Sequence, residues 1–385
     1  MTEHDTRSYV LRRARVAEYG RMMRFIDGVF FGGKPTFRRA WCHIYQPPAA
    51  ACRAGHLAVD GAEIVGHVGV YPMHLALGGA RLRAGGIGAV ATDPARRGQG
   101  IMSRLLEHVS GVMARERLDI SILWGDRQRY GHYGWEVCGM CLEWWLTARH
   151  GLADVKAVPV RRYRAARDLR RVARLWNADP CGTRQPAAAL RRVLGRPGWR
   201  TYVTAAGPFA FATAWVSGDQ RTVRVDKACG PDDAVLGLLK ALAALPGEPP
   251  ARVSVVCPAG DHPLARLAAR AANGWARHSE GLVKIVDLER TVTKLLPVLT
   301  AQHVPQAPQT IRLRMSPGGQ SVTLDLGRRV VIGAGGRQAD SLDLTPAEAV
   351  RLIFGSPVST RWGGRFAPLN NLFPVPLHVE WVAHV

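Results

Sequence analysis

Acidic residues are scarce in this chain. Its 385 residues include 30 Asp and Glu against 52 Lys and Arg, a formal net charge of +22. Lysine is scarcer still, at Lys34, Lys156, Lys227, Lys240, Lys284 and Lys294, so arginine supplies the rest of the basic charge. Only 21% of residues are charged, so the basic balance reflects missing acids rather than lysine- or arginine-rich blocks. A GC-rich genome also produces such an arginine excess. The functional reading of the charge is an anionic partner, a nucleic acid or a phosphorylated cofactor. With no recognition motif and no basic run, nucleic acid is the lesser of the two. Long apolar runs are absent as well, and nothing approaches the roughly 18 uninterrupted apolar residues that would mark a membrane span. The charged stretch Met1 to Arg15 lacks the apolar centre of a signal peptide. Seven cysteines, an odd number without framework spacing, argue against a disulfide scaffold and for reduced thiols in the cytoplasm. Cys138-Gly-Met-Cys141 has zinc or redox spacing but no second ligand pair. It lies in an apolar, strand-like run from Val137 to Leu146 and reads as buried thiols, with no metal expected.

Apolar material is ample, at 47% of the chain. Wholesale disorder is therefore excluded. At roughly 100–200 residues per domain the length suits two or three domains. Residues 1–149 read as a helix over Glu18–Phe31, a hairpin turning at Asp60-Gly61, and a second turn at Gly78-Gly79. A strand into Thr92, a helix from Ile101 to Arg117 and a strand over Ile120–Trp124 follow. Residues 150–287 repeat that order more loosely, with helices at Ala166–Asn177, Asp232–Leu245 and Leu264–Ala272. Strands there are expected at Thr201–Ala205, Ala210–Val216, Thr222–Ala228, Val253–Cys257 and Leu282–Asp287. Residues 288–385 open with a helix, Leu288–Leu296, stopped by Pro297. Three strands between Thr310 and Gly333 and a helix over Pro346–Phe354 follow, then a short apolar tail, His378 to Val385. The fold class is α/β.

One stretch carries chemistry. Gly85-Gly-Ile-Gly-Ala-Val-Ala-Thr92 runs as a strand into Asp93-Pro-Ala-Arg-Arg97-Gly98-Gln99-Gly100, and a helix opens at Ile101-Met102-Ser103. A helix start leaves backbone N–H groups unpaired at the positive end of its dipole. Glycines admit a phosphate close to that backbone, and Arg97 adds fixed charge. A pyrophosphate is the natural guest, and an ordinary helix entry is the bland alternative.

These residues resemble the acetyl-CoA signature of the GNAT superfamily of N-acetyltransferases, in which an Arg/Gln-x-x-Gly-x-Gly/Ala loop opens a helix. Thr92-Asp93-Pro94 and Arg97 to Ile101 match it, and Met102 departs at the last small position. The family's second marker, Tyr-x-x-x-Gly-Phe, is matched by Tyr130-Gly-His-Tyr-Gly134-Trp135, with Trp for Phe. The order of the three blocks resembles the Eis-type acetyltransferases. That resemblance implies tandem GNAT folds followed by a sterol-carrier-protein-like domain. The second block reads Cys229-Gly230-Pro231-Asp232-Asp233 where a phosphate loop would stand, so it is expected to be degenerate.

The resemblance also implies roles. Acetyl transfer to an amine requires a neutral amine, a donor for the oxyanion and a proton for the departing thiolate. Val90, Ala91 and Thr92 would hold the pantetheine arm of acetyl-CoA. Arg97, Gly98, Gln99, Gly100, Ile101, Met102 and Ser103 would take its pyrophosphate, and Gly125 with Asp126 would line its far side. Tyr130 stands at the spacing of the family's general acid. No carboxylate lies on Ile87–Val90 to act as base; Asp126, His132 and Glu136 are near in sequence. Eis-type enzymes use their C-terminal carboxylate, here that of Val385. The expected partners are acetyl-CoA and an amine acceptor, an aminoglycoside-like molecule or a peptide lysine, within a homo-oligomer that the family suggests is a hexamer. A polycationic acceptor would need local acidity, for which Asp27, Asp126 and Glu380 are the candidates. A lipid or other apolar ligand carried by the last block is the alternative.

Overall fold

The structure, a computed structural model, describes residues 9–217, 222–244, 252–333, 339–355 and 361–385. Seven strands come first: β1 (Tyr9–Arg13), β2 (Gly55–Asp60), β3 (Glu63–Leu77), β4 (Ala80–Thr92), β5 (Ile120–Leu123), β6 (Glu136–Cys138) and β7 (Cys141–Leu146). The middle of the chain adds β8 (Val160–Arg162), β9 (Cys181–Thr183), β10 (Trp199–Thr204), β11 (Phe211–Val216), β12 (Thr222–Cys229), β13 (Arg252–Pro258), β14 (Gly274–His278) and β15 (Gly281–Ile285). The last part supplies β16 (Gln309–Met315), β17 (Gln320–Leu326), β18 (Val330–Gly333) and β19 (Asp340–Leu344).

These strands form three sheets. The first runs β1-β2-β3-β4-β5-β15-β6 with β9 paired to β3, the second β14-β7-β13-β12-β11-β10-β8, and the third β18-β17-β16-β19. The two larger sheets share a plan. An antiparallel meander ends in β4 or β12, a helix follows (Ile101–Arg115 or Asp232–Ala243), and the next strand returns parallel to it. The helix Ile101–Arg115 buries Ile101, Leu105, Leu106, Val109, Val112 and Met113 on one face, the 3.6-residue spacing of an amphipathic helix. Each such side chain contributes about 1.5–3 kcal/mol when fully buried.

The chain passes between the larger sheets at three strands, β7, β9 and β15. The run Val137–Leu146 is not one strand: it breaks at Gly139, whose φ is +69°, and β7 leaves for the second sheet while β6 stays in the first. A Cβ at Gly139 would lie 2.6 Å from that of Glu280, so the crossing needs glycine for space as well as for conformation. Cys138 and Cys141 therefore sit in different sheets. Both are buried and free, and burial pushes the Cys141 thiol up to about 12. Among the described residues no cluster of three metal-ligating side chains occurs. β15 makes the return crossing, pairing with β5 and β6.

The helix expected to stop at Pro297 continues to Gln302. Proline removes one hydrogen bond from a helix interior, but Val292, Leu295, Val298 and Leu299 are buried in the shared core. The proline ring itself packs on the β3–β4 turn, where a Cβ at Gly79 would lie 3.2 Å from the ring. Tertiary packing thus overrides the local penalty. No described helix is long and apolar enough to cross a membrane.

Candidate active site

The parallel ladder between β4 and β5 is short. Ala84 pairs with Ile120, Gly85 with Ser121 and Gly86 with Ile122. Beyond that point β4 continues to Thr92 whereas β5 ends at Leu123, so the strands part. A bulge bends β4 there: its register with β3 slips from Gly69–Gly88 to His67–Ala91. Ala89, inside the bulge, has φ +45°, a conformation that costs a non-glycine residue on the order of 1–3 kcal/mol. His67 holds it, its Nδ1–H donating to the Ala89 carbonyl at 2.7 Å. Burial pushes that imidazole down to about 4, so it is neutral. Val90, Ala91 and Thr92 lie on the stretch of β4 that has left β5.

Thr92 leads into the glycine loop. The Asp93 carboxylate accepts from the Ala95 N–H at 2.9 Å, and Asp60 holds Arg96 at 3.0 Å. Arg97 is exposed and has no ion pair among the described residues. Gly98 and Gly100 have φ +79° and +73°, and a Cβ on either would meet nothing within 4 Å. Open space therefore stands over the loop, at the end where the helix leaves its first N–H groups unpaired. Met102 is half-buried against the first sheet's core, which turns the misfit side chain away from the loop. The Ser103 hydroxyl is hydrogen-bonded to that of Tyr133 at 2.6 Å, so its backbone N–H is what remains for an anion.

Past β5, Asp126 caps the short helix Arg127–Gly131 by accepting from the Gln128 N–H at 2.8 Å. Tyr130 is buried on that helix, and its ring fills the space beside Gly125, where a Cβ would lie 2.6 Å from Tyr130 Cε2. Burial pushes the phenol above its ordinary value, so it stays protonated at neutral pH. Trp135 Nε1 donates to Ser121 Oγ at 3.2 Å, and Ser121 donates to the Gly85 carbonyl at 2.8 Å. The second sequence marker is thereby tied to the root of the parted strands.

The far end of the chain reaches the same spot. A methyl on Gly86 would lie 2.5 Å from Val385 Cγ2, and one on Gly88 would lie 3.1 Å from the Val385 carbonyl carbon. The glycines of β4 thus make room for Val385. His384 stacks on Trp124, ring centroids 3.6 Å apart. His43 Nε2–H donates to the His384 carbonyl at 2.9 Å. Val385 packs against the apolar cluster to which Met22, Phe37, Tyr45 and Tyr71 belong. Trp124, His43 and Tyr71 carry no sequence signal, because their roles exist only once the tail has arrived.

The three acids expected to make the pocket locally acidic do not. Asp27 accepts from the backbone N–H groups of Thr36 and Phe37, Asp126 is the cap just described, and Glu380 is ion-paired with Lys227. Glu136, also near in sequence, is held by Arg127 at 2.7 Å. The scarce acids are engaged in structural contacts, and an apolar cluster that includes Phe37, Tyr45 and Tyr71 packs on Val385 instead.

Residues 10–138 match the model of the acetyltransferase (GNAT) domain. This first unit is a GNAT acetyltransferase domain. With it the chain is an acyltransferase, and GNAT domains use acetyl-CoA. The open glycine loop, unpaired Arg97 and parted strands fit that cosubstrate. The fold of the whole chain is shared with solved structures. A probable N-acyltransferase from Enterococcus faecalis V583 aligns at 15% identity with a TM-score of 0.74, covering 97% of this chain and 99% of that one. A GCN5-related N-acetyltransferase from Kribbella flavida aligns at 18% identity and TM-score 0.71, covering 97% and 99%. Eis1 from Mycobacterium abscessus aligns at 15% and 0.68, covering 98% and 100%. A search of curated proteins returned no match.

The second sheet has the corresponding helix but not the loop. At Gly230, φ +149°, a Cβ would lie 2.5 Å from Ala210 Cβ and 2.9 Å from the Phe209 carbonyl oxygen, so no open space stands there. Asp232 and Asp233 occupy the first helical turn, where they neutralise the dipole end that would attract an anion.

Proposed function

We propose that the first unit transfers an acetyl group from acetyl-CoA directly to a primary amine, with both substrates bound together. Residues 1–149 hold the catalytic unit and 150–287 a degenerate acetyltransferase fold, with β7 of the first span in the second sheet and β9 and β15 of the second span in the first sheet. Residues 288–385 are a sterol-carrier-protein-like unit that lends its last residue. The observation that carries the reading is the terminal carboxyl group lying over Gly88 of a strand that has no carboxylate of its own.

Acetyl-CoA supplies the thioester carbonyl. Arg97 and the N–H groups from Gly98 to Ser103 bind its pyrophosphate, Val90 to Thr92 hold the pantetheine arm and the carbonyl oxygen, and Gly125 and Asp126 border it opposite. The Val385 carboxylate, with a reference pKa of about 3.3–3.7, is ionised at pH 7. It takes a proton from the attacking amine directly or through one water. Tyr130, kept protonated by burial, donates to the departing thiolate.

The acceptor is an amine of low charge, such as a peptide lysine or an aromatic amine. An aminoglycoside-like polycation suits the site less well, because Asp27, Asp126 and Glu380 are all engaged elsewhere. A homo-oligomer, a hexamer by family resemblance, completes the proposal. The carrier alternative is not favoured: a cavity of about 380 Å³ between Met140 and the last unit has Glu348 and Arg351 in its wall, and one of about 620 Å³ has Gln306, Arg361 and Asn371.

The experiment is acetyl-CoA-dependent thiol release across a panel of amines, for the native chain, Tyr130→Phe, and a chain extended beyond Val385. Both variants should lose acetyl transfer while still binding CoA. Full activity in both would remove the mechanism.

A further inference from the structure

The second sheet opens at the same point as the first. β12 and β13 pair in parallel only from Thr222–Arg252 to Val225–Val255. The register of β12 with β11 slips there as well: Ala214 pairs with Val225 and Thr213 with Lys227, leaving Asp226 between them. Aligning the two ladder ends puts Asp226 and Lys227 where the first sheet has Ile87 and Gly88. The C-terminal tail lies at both openings. In the first it presents Val385. In the second, the Asp226 carboxylate accepts from the Val382 N–H at 2.8 Å, and Lys227 Nζ donates to Glu380 Oε1 at 2.5 Å.

We infer that the second sheet's opening is a socket for the C-terminal tail, and that Lys227 is the positioning residue that sets the Val385 carboxylate over Gly88. The inference rests on Val385 acting as the base.

The socket is built around Glu380, which is fully buried. Its other oxygen accepts from the Thr183 N–H at 2.9 Å and the Thr183 hydroxyl at 2.7 Å. Lys227 lies 3.1 Å from Asp179 as well, and Asp179 is paired with His262 at 2.9 Å. Gly182, at φ +119°, is the floor: a Cβ there would lie 2.1 Å from Glu380 Oε1. Just beyond, Arg196 donates to the carbonyls of Trp381 and Val382 at 3.0 and 3.1 Å. Burial alone would push Lys227 down, but Glu380 and Asp179 outweigh it and keep the ammonium charged.

A buried ion pair is a poor way to gain stability, because desolvation offsets much of the attraction. It is a good way to fix register, because a slipped tail would leave Lys227 and Glu380 buried without each other. Only four residues separate Glu380 from Val385, so fixing the first limits where the second can lie. Val382 and Ala383 share one apolar cluster with Val172, Trp176 and Phe211, which attracts the tail without setting its register to one residue. The charge pair sets it.

The test uses the full chain with Lys227→Met, Lys227→Arg and Glu380→Gln. The last keeps the acceptor for Thr183 and guards against a variant that fails to fold. Two quantities are read: release of Val385 and His384 by a carboxypeptidase, followed by intact mass, and acetyl transfer with acetyl-CoA affinity measured in the same samples. Lys227→Met and Glu380→Gln should speed release and lower kcat by about 10- to 100-fold, the scale of a misplaced catalytic group, with CoA affinity unchanged. Lys227→Arg should restore most of both. A tail equally shielded in Lys227→Met, Glu380→Gln and the native chain overturns the inference. A tail released with kcat unchanged overturns the assignment of Val385 as base, and with it the catalytic consequence of the socket.

Discussion

Two sheets in this chain open at equivalent points, and the openings are put to different uses. In the first, glycines at 86 and 88 leave room that Val385 fills, and a glycine loop with an exposed Arg97 follows. In the second, Val225 and Lys227 stand at the positions of Gly86 and Gly88, Asp226 stands at that of Ile87, and the space beside Gly230 is closed. The backbone plan is common, and the tail reaches both openings: the first, proposed for the anionic cosubstrate, receives Val385, and the second holds Glu380 and the Val382 N–H. Charge explains the division: a helix start with Arg97 before it attracts phosphate, whereas one carrying Asp232 and Asp233 does not.

The comparison is broken most severely by removing what joins the two openings. Deleting Val382–Val385 should lower acetyl transfer by about 10²–10⁴-fold, the usual contribution of a general base, while equilibrium dialysis still finds CoA bound. Tyr130→Phe should lower kcat by on the order of 10²-fold with little change in CoA affinity, measured by steady-state kinetics. Arg97→Ala should weaken CoA by about 1.5–3 kcal/mol, the range of a charge-assisted hydrogen bond, and leave kcat nearly intact. Calorimetric titration checks that, and it should find one CoA per chain; two would erase the distinction between the sheets.

The smallest effect concerns pH. His378 Nδ1 lies 2.9 Å from Glu280 Oε2. Burial pulls this imidazole down, but Glu280 outweighs it and raises His378 to about 9. A raised folded value means that the stabilisation is complete below the ordinary 6.5 and is lost as pH rises through 9. Thermal melts of the native chain and His378→Gln should therefore differ most below pH 6.5 and converge above 9.

The glycine loop and the Tyr130 marker were legible because their chemistry is local: a helix start, its glycines and its cation lie within ten residues. Most helices and strands were legible for the same reason, through apolar spacing. What could not be read depends on contacts distant in sequence. Pro297 stops a helix locally, yet packing on the Gly79 turn carries the helix past it. Val137 to Leu146 looks like one strand, and only the space required by Glu280 shows why Gly139 divides it between sheets. The acids Asp27, Asp126 and Glu380 suggested a pocket, and each proved to have a nearer backbone or lysine partner. The tail is an intermediate case. Its apolar character suggested burial, but no spacing rule links Glu380 to Lys227, 153 residues away.

The most direct measurement changes only the charge at the end of the chain. Semisynthesis can supply a protein whose Val385 ends in a carboxamide, which removes the terminal charge and keeps the tail's shape. With Val385 as the base, kcat should fall by about 10²-fold or more, with acetyl-CoA affinity and the thermal melt unchanged. Native turnover from the amidated chain would contradict it.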